Sequence, residues 1–500
     1  MPFPHSQNGG RVGDTTWPMG FVEAARTWFV AARRGLWWSI FRNSGTVLVS
    51  SAVAKVFVFV ATAFIARLLT PGDFGWYSTI LTYVYFLSML SELGMDRILT
   101  REIAGQPQVA SEMVGAAMTL RLTLVVLLAL IGWAAFPLLG YPAALRPIAT
   151  IALVFVVTDS LTAFAEALFS ARMAMTLPAI GKLAAKALLL VLVWVGLPRL
   201  LPEQRLLAAV AVTVLPDLVD VGILWGALWR QLRPRLIFGW SHWWPIVRES
   251  WPLALAVIFG MTYTRIDVLL LTALKTSQAV GNYAAAVGLV EIWGGVIGAL
   301  SVSLLPVLSR SSGNNETVGF WRTYQRSFTL LMLLLVPISF VYTAYASEIV
   351  AVIYGSRYSQ APGAMQILIW SQVFASAGIV YMVALIANHW QRLSLVLGGV
   401  SAVLNIVLNL LFIPKWGIVG SSWATLVSYG AGSILLLFSS HTRPYILPFW
   451  RASLVPLLAS LPILVIKSEL RLHWILGMCV CALVYLSLVT VLHRLARYHF

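Results

Sequence analysis

The sequence predicts an all-α polytopic membrane protein with about fourteen transmembrane helices. Hydrophobic residues make up 60% of the 500 residues and charged residues only 10%, whereas a soluble protein carries roughly 25% charged residues. Apolar stretches recur from Ser44 almost to the C-terminus, and most approach the length of about twenty residues that crosses a bilayer. They are apolar on every face, for instance over residues 122–130, which favours helices over the alternating strands of a membrane barrel.

The predicted spans form two halves of six and a final pair. The first half comprises 44–69, 77–95, 113–136, 147–169, 177–198 and 206–229. The second half comprises 251–274, 280–308, 327–346, 363–387, 393–413 and 417–438, and the extra pair is 452–467 and 474–493. We therefore divide the chain into a cytoplasmic tail (1–43), an N-lobe (44–240), a C-lobe (241–443) and an extra helix pair (444–500). The tail either forms an interfacial helix on the headgroups or simply anchors the first span.

An internal repeat supports the two halves. Residues 66–80 align with 272–286 at an offset of 206 positions, and the pairs Leu68/Leu274, Thr70/Thr276, Gly75/Gly281 and Tyr77/Tyr283 are identical. In each copy a span leads through a short loop and a Gly-x-Tyr motif into the next span. Because each repeat holds an even number of spans, the halves have like orientation, and transporters commonly place their site between such halves.

The basic residues predict the topology. Most of the 34 lysines and arginines fall on connections on the side of the N-terminus, so the positive-inside rule places both termini in the cytoplasm and the chain in the cytoplasmic (inner) membrane. The net charge of +16 is then a topology signal, and we expect no nucleic-acid partner. No cleavable signal peptide is evident. Cys479 and Cys481 lie two apart in the last span, which predicts neither a disulfide nor a metal site.

Several short motifs carry a family resemblance. They are Ala-Arg-Leu-Leu at 66–69, Gly75-Trp76-Tyr77, Glu92-Leu93-Gly94-Met95, Arg101-Glu102, Arg265-Ile266-Asp267, Val280-Gly281-Asn282-Tyr283, Asn405, Asn409, Ile413-Pro414, Gly417 and Gly420. Over roughly 44–440 the chain resembles the polysaccharide-export flippases of the multidrug/oligosaccharidyl-lipid/polysaccharide exporter superfamily. The resemblance implies movement of a polyprenyl-diphosphate-linked glycan between leaflets by alternating access. It also implies membrane lipids, a polysaccharide polymerase and glycosyltransferases as partners.

Charges inside the spans are the candidate site residues, because an ionisable group at mid-membrane costs about 2.5–3.5 kcal/mol. Lys55 and Arg265 lie at middling depth in the equivalent first spans of the two halves. Facing one cavity, they would bind a diphosphate headgroup, since arginine can hold phosphate oxygens in a bidentate fork. The alternative is that Arg265 is neutralised by Asp267 or Glu291 and only fixes helix packing. Arg67, near the end of the first span, is expected to snorkel.

A second group of charges lies in spans four to six. Asp159 and Glu166, Lys182 and Lys186, and Asp217 and Asp220 are spaced to share helix faces, so we expect a structural network that joins these spans. The alternative is that one acid couples transport to protons or cations, since acids in low dielectric titrate near neutral pH. The candidate coupling or cavity carboxylates are Asp217, Asp267 and Glu291.

Other functions are compatible with the same sequence features. A lipid II-type flippase or a multidrug/cation antiporter of the same superfamily would share the fold, and a membrane glycosyltransferase is the alternative from another class. The chain has no Asp-x-Asp, no His-Glu-x-x-His and no Gly-x-x-x-x-Gly-Lys-Ser/Thr motif. We therefore expect no enzymatic activity, no cofactor and no metal.

Overall fold

The computed structural model describes residues 45–47, 49–105, 110–231, 236–313, 317–388, 390–438, 440–469 and 474–498. The predicted tail, residues 1–43, lies outside them. The described part contains helices and no strand. The first eight helices are α1 Gly45–Leu68, α2 Pro71–Glu92, α3 Met95–Gly105, α4 Ala110–Leu138, α5 Arg146–Ala171, α6 Thr176–Val191, α7 Pro202–Val214 and α8 Asp217–Gln231. The others are α9 Trp240–Leu274, α10 Ser277–Gly313, α11 Thr317–Ala344, α12 Ala346–Ile353, α13 Ala361–Ala387, α14 Gln391–Leu435, α15 Arg443–Glu469 and α16 Trp474–Tyr498.

The number of membrane crossings confirms the prediction of about fourteen. Twelve segments among the described residues are long and apolar enough to span a membrane. The longest of them, Arg392–Leu435, reverses direction and therefore accounts for two crossings. α2, a 22-residue helix rich in hydroxyl groups, adds the fourteenth.

The reversal within α14 follows from one glycine. Gly417 has φ 58° and ψ −132°, a left-handed conformation that glycine adopts without a steric penalty. Ser421 Oγ then donates to Asn409 Oδ1 at 2.8 Å, whereas these residues would stand roughly 18 Å apart along a straight helix. The predicted boundary between the spans 393–413 and 417–438 coincides with this turn.

Several predicted boundaries differ from the structure, and three of these differences have a local cause. The sixth span, predicted as 206–229, is two helices, α7 and α8, separated at Leu215 and Pro216, because proline lacks the N–H that would continue the helix. The second span begins at Pro71 rather than 77, because Thr70 accepts a hydrogen bond from the Asp73 N–H as its N-cap. It ends at Glu92, with Leu93, which has φ 46°, as its C-cap. The short helices α3 and α12 were not predicted.

The two halves of the chain meet mainly through α2 and α9–α10. α2 packs along α10 and against α9, while the start of α9 lies against α3 and α4. Within the second half α13 contacts α10, α11 and α14, and α15 lies along α11 with α16 outside it. The α2–α10 contact therefore determines how the two halves are placed relative to each other.

Candidate functional site

Two equivalent glycines bring the halves into backbone contact at one end of the bundle. We call this the far end, where α1 leads into α2, and the opposite end the near end. A Cβ on Gly75 would overlap the Ser277 carbonyl, with its carbon at 2.7 Å, and a Cβ on Gly281 would overlap the Pro71 carbonyl, with its carbon at 2.8 Å. Gly75 and Gly281, like Pro71 and Ser277, are related by the repeat offset of 206. The repeat thus places its matching residues on a local twofold axis.

Arg67 joins the halves at the same end. Its Nε donates to the Ile353 carbonyl at 2.7 Å, and Nη2 donates to the Val352 carbonyl, so it satisfies the C-terminal carbonyls of α12. Tyr358 OH donates to the Ala66 carbonyl at 2.7 Å, and burial raises the pKa of the Tyr358 phenol, which keeps it a neutral donor. Arg67 was predicted only to snorkel, and its partners lie 285 and 286 positions away in sequence.

Further contacts between the halves run from the far end to the near end. Thr79 and Thr272 share a hydrogen bond of 2.8 Å between their hydroxyls. At the near end Arg101 pairs with Glu249, and a Cβ on Gly94 would stand 2.7 Å from Leu253 Cβ. The two halves are therefore in contact at both the far end and the near end of the bundle.

Arg265 pairs with a carboxylate of the neighbouring helix α10. Its Nη2 donates to Glu291 Oε2 at 2.9 Å, and the side chains of Arg265 and Glu291 are 34% and 41% exposed. Tyr85 of α2 lies within electrostatic range of both groups. The accessible pair therefore lies where α9 and α10 approach α2, which is where the sequence predicts a cavity between the halves.

Lys55 reaches the same helix as Glu291. Its Nζ lies 3.4 Å from the position that a Cβ on Gly295 would occupy, and Gly295 is one turn along α10 from Glu291, on the same face. Lys55 is exposed, and no carboxylate of the described residues lies within ion-pair distance of it. The structure thus brings Lys55 and Arg265 to adjacent turns of α10, and only Arg265 has an acidic partner there.

Asp267 stands apart from Arg265, as the two-residue spacing predicted. It is 7% exposed and accepts hydrogen bonds from Tyr283 OH and from the Val268 N–H, the latter at 2.8 Å. Tyr283 belongs to α10, so Asp267 ties α9 to α10. Arg265 is paired with Glu291 instead, which was one of the two partners considered from the sequence.

The charges of spans four to six form the expected network. Lys182 Nζ pairs with Glu166 Oε1 at 3.0 Å, and Lys186 Nζ pairs with Asp217 Oδ1 at 2.5 Å. These pairs join α5 to α6 and α6 to α8, so Asp217, a candidate coupling group, has a cationic partner. Asp220 Oδ1 is buried without a hydrogen-bond partner, and it fits against α6 because Gly181 has no Cβ there.

Arg121 extends this network toward α2 and α3. It is fully buried, its Nε donates to Ser160 Oγ at 2.8 Å, and it pairs with Asp96 and, at 3.9 Å, with Glu92. Asp159 accepts a hydrogen bond from Ser88 Oγ at 2.7 Å. The sequence placed Arg121 inside a span without predicting its partners, because Asp96 belongs to the turn and short helix that the span pattern did not show.

Comparison with known proteins identifies the family. A family model described as "Polysaccharide biosynthesis protein" matches residues 40–312, which is more than half of the chain. The chain belongs to this family. A second model, MatE, matches residues 252–411. These two matches confirm the predicted resemblance to the polysaccharide flippases of the multidrug/oligosaccharidyl-lipid/polysaccharide superfamily.

One curated relative matches over part of its length. The probable low-salt glycan biosynthesis flippase Agl15 of Haloferax volcanii is 28% identical over 178 residues, which cover 36% of this chain and 38% of that protein. The match therefore covers well under half of the length of that relative.

Solved structures share the fold. The lipid II flippase MurJ in an inward closed conformation has a TM-score of 0.72 at 13% identity, covering 89% of this chain and 98% of that one. An inward-facing multidrug resistance MATE family transporter of the MOP superfamily has a TM-score of 0.63 at 13% identity, covering 80% and 94%. A MOP superfamily transporter from Pyrococcus furiosus, described by the reverse polarity of its binding pocket, has a TM-score of 0.57 at 13% identity, covering 83% and 95%. At these identities the likeness shows a common fold.

Proposed function

We propose that this protein is a flippase that moves lipid-linked oligosaccharide or polysaccharide repeat units across the cytoplasmic membrane by alternating access. One observation carries the proposal: Lys55 and Arg265 approach adjacent turns of α10 from different halves of the chain, and Lys55 has no ion-pair partner among the described residues. Membership of the polysaccharide biosynthesis family and the relative Agl15 support the same cargo class.

The two cations suit a diphosphate headgroup. An ammonium is a compact point charge, whereas a guanidinium presents paired donors to phosphate oxygens. The apolar helices around the cavity lower the local dielectric and strengthen both interactions. The polyprenyl tail would stay in the lipid while the sugars and the diphosphate enter the cavity.

Glu291 provides the coupling in this proposal. It accepts a hydrogen bond from Arg265 Nη2 at 2.9 Å. A diphosphate that takes over Arg265 would leave Glu291 without a partner beside a second anion. Cargo binding would therefore displace Glu291 from Arg265, which links this carboxylate to the transport step. Asp267 and Asp217 are the other coupling candidates, but each already has a partner, Tyr283 and Lys186 respectively.

Alternating access requires the far-end contacts to separate. We propose that the backbone contact at Gly75 and Gly281, together with the Arg67 bonds to α12, closes the outer side of the cavity, and that both termini lie in the cytoplasm. The N-lobe (44–240) and the C-lobe (241–443) would then rotate against each other, while the pair 444–500 follows the C-lobe through its contact with α11. Glycosyltransferases and a polymerase would supply and consume the cargo.

The test compares transport by variants of the two cations. Arg265→Ala and Lys55→Gln should each abolish appearance of the lipid-linked glycan in the outer leaflet of proteoliposomes, because each leaves the headgroup with one cation. Arg248→Ala, which removes an exposed near-end arginine, is the matched control and should transport normally. Normal glycan export by Arg265→Ala at wild-type abundance would remove Arg265 from the mechanism.

The same vesicles separate the alternative functions. Lipid II and a lipophilic cation should be offered in parallel with the lipid-linked glycan. Preferential transport of lipid II would identify a lipid II-type flippase, and export of the cation that requires the acidic residues would identify an antiporter. Release of free sugar or of a new glycosidic product would indicate a glycosyltransferase.

A further inference from the structure

From the start of α13 to Lys467, near the end of α15, the chain has a few basic residues and no acidic one. Between Glu348 and Glu469 the sequence contains no aspartate or glutamate. At the near end of this region Arg392 begins α14, and Arg443 begins α15, and both side chains are exposed. His441 precedes Arg443 and is also exposed. None of these three side chains forms an ion pair among the described residues, and Arg443 Nε donates to the Leu437 carbonyl at 3.0 Å.

An apolar groove opens beside these cations. It has a volume of about 690 Å³ and lies between the start and the end of α14, where Leu393, Val396, Leu397 and Val400 face Leu435 and Leu436. The first four residues have the spacing of a single helix face over two turns, so the groove runs roughly 10 Å along α14. His441 and Thr442 close its near end, directly beside Arg443.

The aromatic residues at the mouth of the groove indicate the depth of the lipid headgroups. Trp390 lines the groove, and the ring of Trp390 lies 6.1 Å from that of Tyr445. Tryptophan and tyrosine rings concentrate at the membrane–water interface. An apolar groove at this depth meets lipid chains on one side and headgroups on the other, with Arg392, His441 and Arg443 at the headgroup side.

We propose that this groove is a binding site for an acidic glycerophospholipid, with the phosphate at Arg392 and Arg443 and one acyl chain along Val396 and Val400. Basic pockets between membrane helices bind anionic headgroups. The cargo tail is the less suitable occupant, since Lys55, Arg265 and Glu291 belong to α1, α9 and α10, and none of these helices lines the groove. The site does not depend on the transport function proposed above.

The experiment measures lipid binding by the full chain in nanodiscs. Wild type is placed in phosphatidylcholine with or without phosphatidylglycerol, and bound lipid is counted by native mass spectrometry. Phosphatidylglycerol should be retained in preference and should raise the melting temperature. The variant R392Q/R443Q should bind it about 30-fold more weakly, as the loss of two cations near an anionic headgroup predicts. R97Q/R248Q removes two exposed near-end arginines outside the groove and should bind as wild type.

A second pair of variants tests the acyl chain. Val400→Trp fills the groove and should weaken phosphatidylglycerol binding, whereas Val407→Trp, two turns further along α14 and outside the groove, should not. Equal loss in both arginine pairs, or in both tryptophan variants, would overturn the proposal. So would equal binding of glycerol phosphate without chains, or binding of polyprenyl phosphate in place of phosphatidylglycerol, which would assign the groove to the cargo tail.

Discussion

The substitution Gly75→Ala should open the far end of the protein. The new methyl carbon would stand 2.7 Å from the Ser277 carbonyl carbon and closer still to its oxygen. Ordinary contact begins at 3.4 Å and the obstacle is backbone, so no side chain can rotate away. α2 and α10 must therefore separate locally by more than about 1 Å, and overpacking of this kind costs about 1–3 kcal/mol.

That cost applies only while the far end is closed. A state in which α2 and α10 have moved apart accommodates the methyl group, so the substitution shifts the equilibrium toward it by about 5–150-fold. Gly281→Ala should have the same effect through the Pro71 carbonyl. The double variant should add little to either, because one separation relieves both overlaps.

Labelling from the far side measures this shift. A cysteine at position 55 (Lys55→Cys), with Cys479 and Cys481 replaced by serine, reports access to the cavity by a membrane-impermeant maleimide in oriented vesicles. Gly75→Ala should accelerate far-side labelling within the stated range. Gly72→Ala is the matched control, since its Cβ would meet side-chain hydroxyls at ordinary contact distances, that of Ser277 at 3.4 Å and that of Thr70 at 3.8 Å. Wild-type labelling of a folded Gly75→Ala variant would refute the closed-gate role of this crossing.

Three further results are expected. Arg67→Met should also speed far-side labelling, by about 10-fold or more, because charge-assisted hydrogen bonds contribute about 1.5–3 kcal/mol each; an unchanged rate would make the α12 contact incidental. Arg121→Met should lower the free energy of unfolding by about 3–5 kcal/mol by leaving Asp96 unpaired, and adding Asp96→Asn should restore part of it in thermal denaturation. Glu291→Gln should retain glycan binding but uncouple transport from a pH gradient, and undiminished pH-driven transport would assign coupling elsewhere.

The sequence predicts the membrane helices well because the bilayer imposes a length and an apolar composition on each span. The gap between the predicted spans 393–413 and 417–438 coincides with the turn within α14, which the structure places at Gly417. The break between α7 and α8 was not predicted, although Pro216 stood at its position. Composition alone assigned 206–229 to one span, since an apolar run does not reveal whether the helix within it is continuous.

The spacing of the charged residues along each helix excludes some ion pairs, but it does not determine which pairs form. Helix periodicity indicated that Arg265 and Asp267 would not pair, and the structure has Glu291 as the partner of Arg265. Spacing said nothing about which turn of α10 Lys55 would reach, because that depends on how the two halves pack. Arg67 was misjudged for the same reason: its acceptors are carbonyls of α12, and backbone groups leave no signature in the sequence.

The repeat relates the backbone contacts between the two halves, but it does not relate the charged residues of the candidate site. The offset of 206 relates Gly75 to Gly281 and Pro71 to Ser277, and these four residues make a self-complementary contact of the kind found on a twofold axis. The same offset takes Lys55 to Met261 and Arg265 to Phe59, so neither cation has a charged equivalent. A symmetric crossing lets two halves of like orientation move as equivalents, whereas an asymmetric set of cavity charges suits a cargo whose two ends differ. A diphosphate joined to a neutral glycan has this asymmetry, and a small symmetric cation does not. Transferring a charge to the equivalent position, as in Met261→Lys with Lys55→Met, should therefore preserve far-end closure while losing glycan transport.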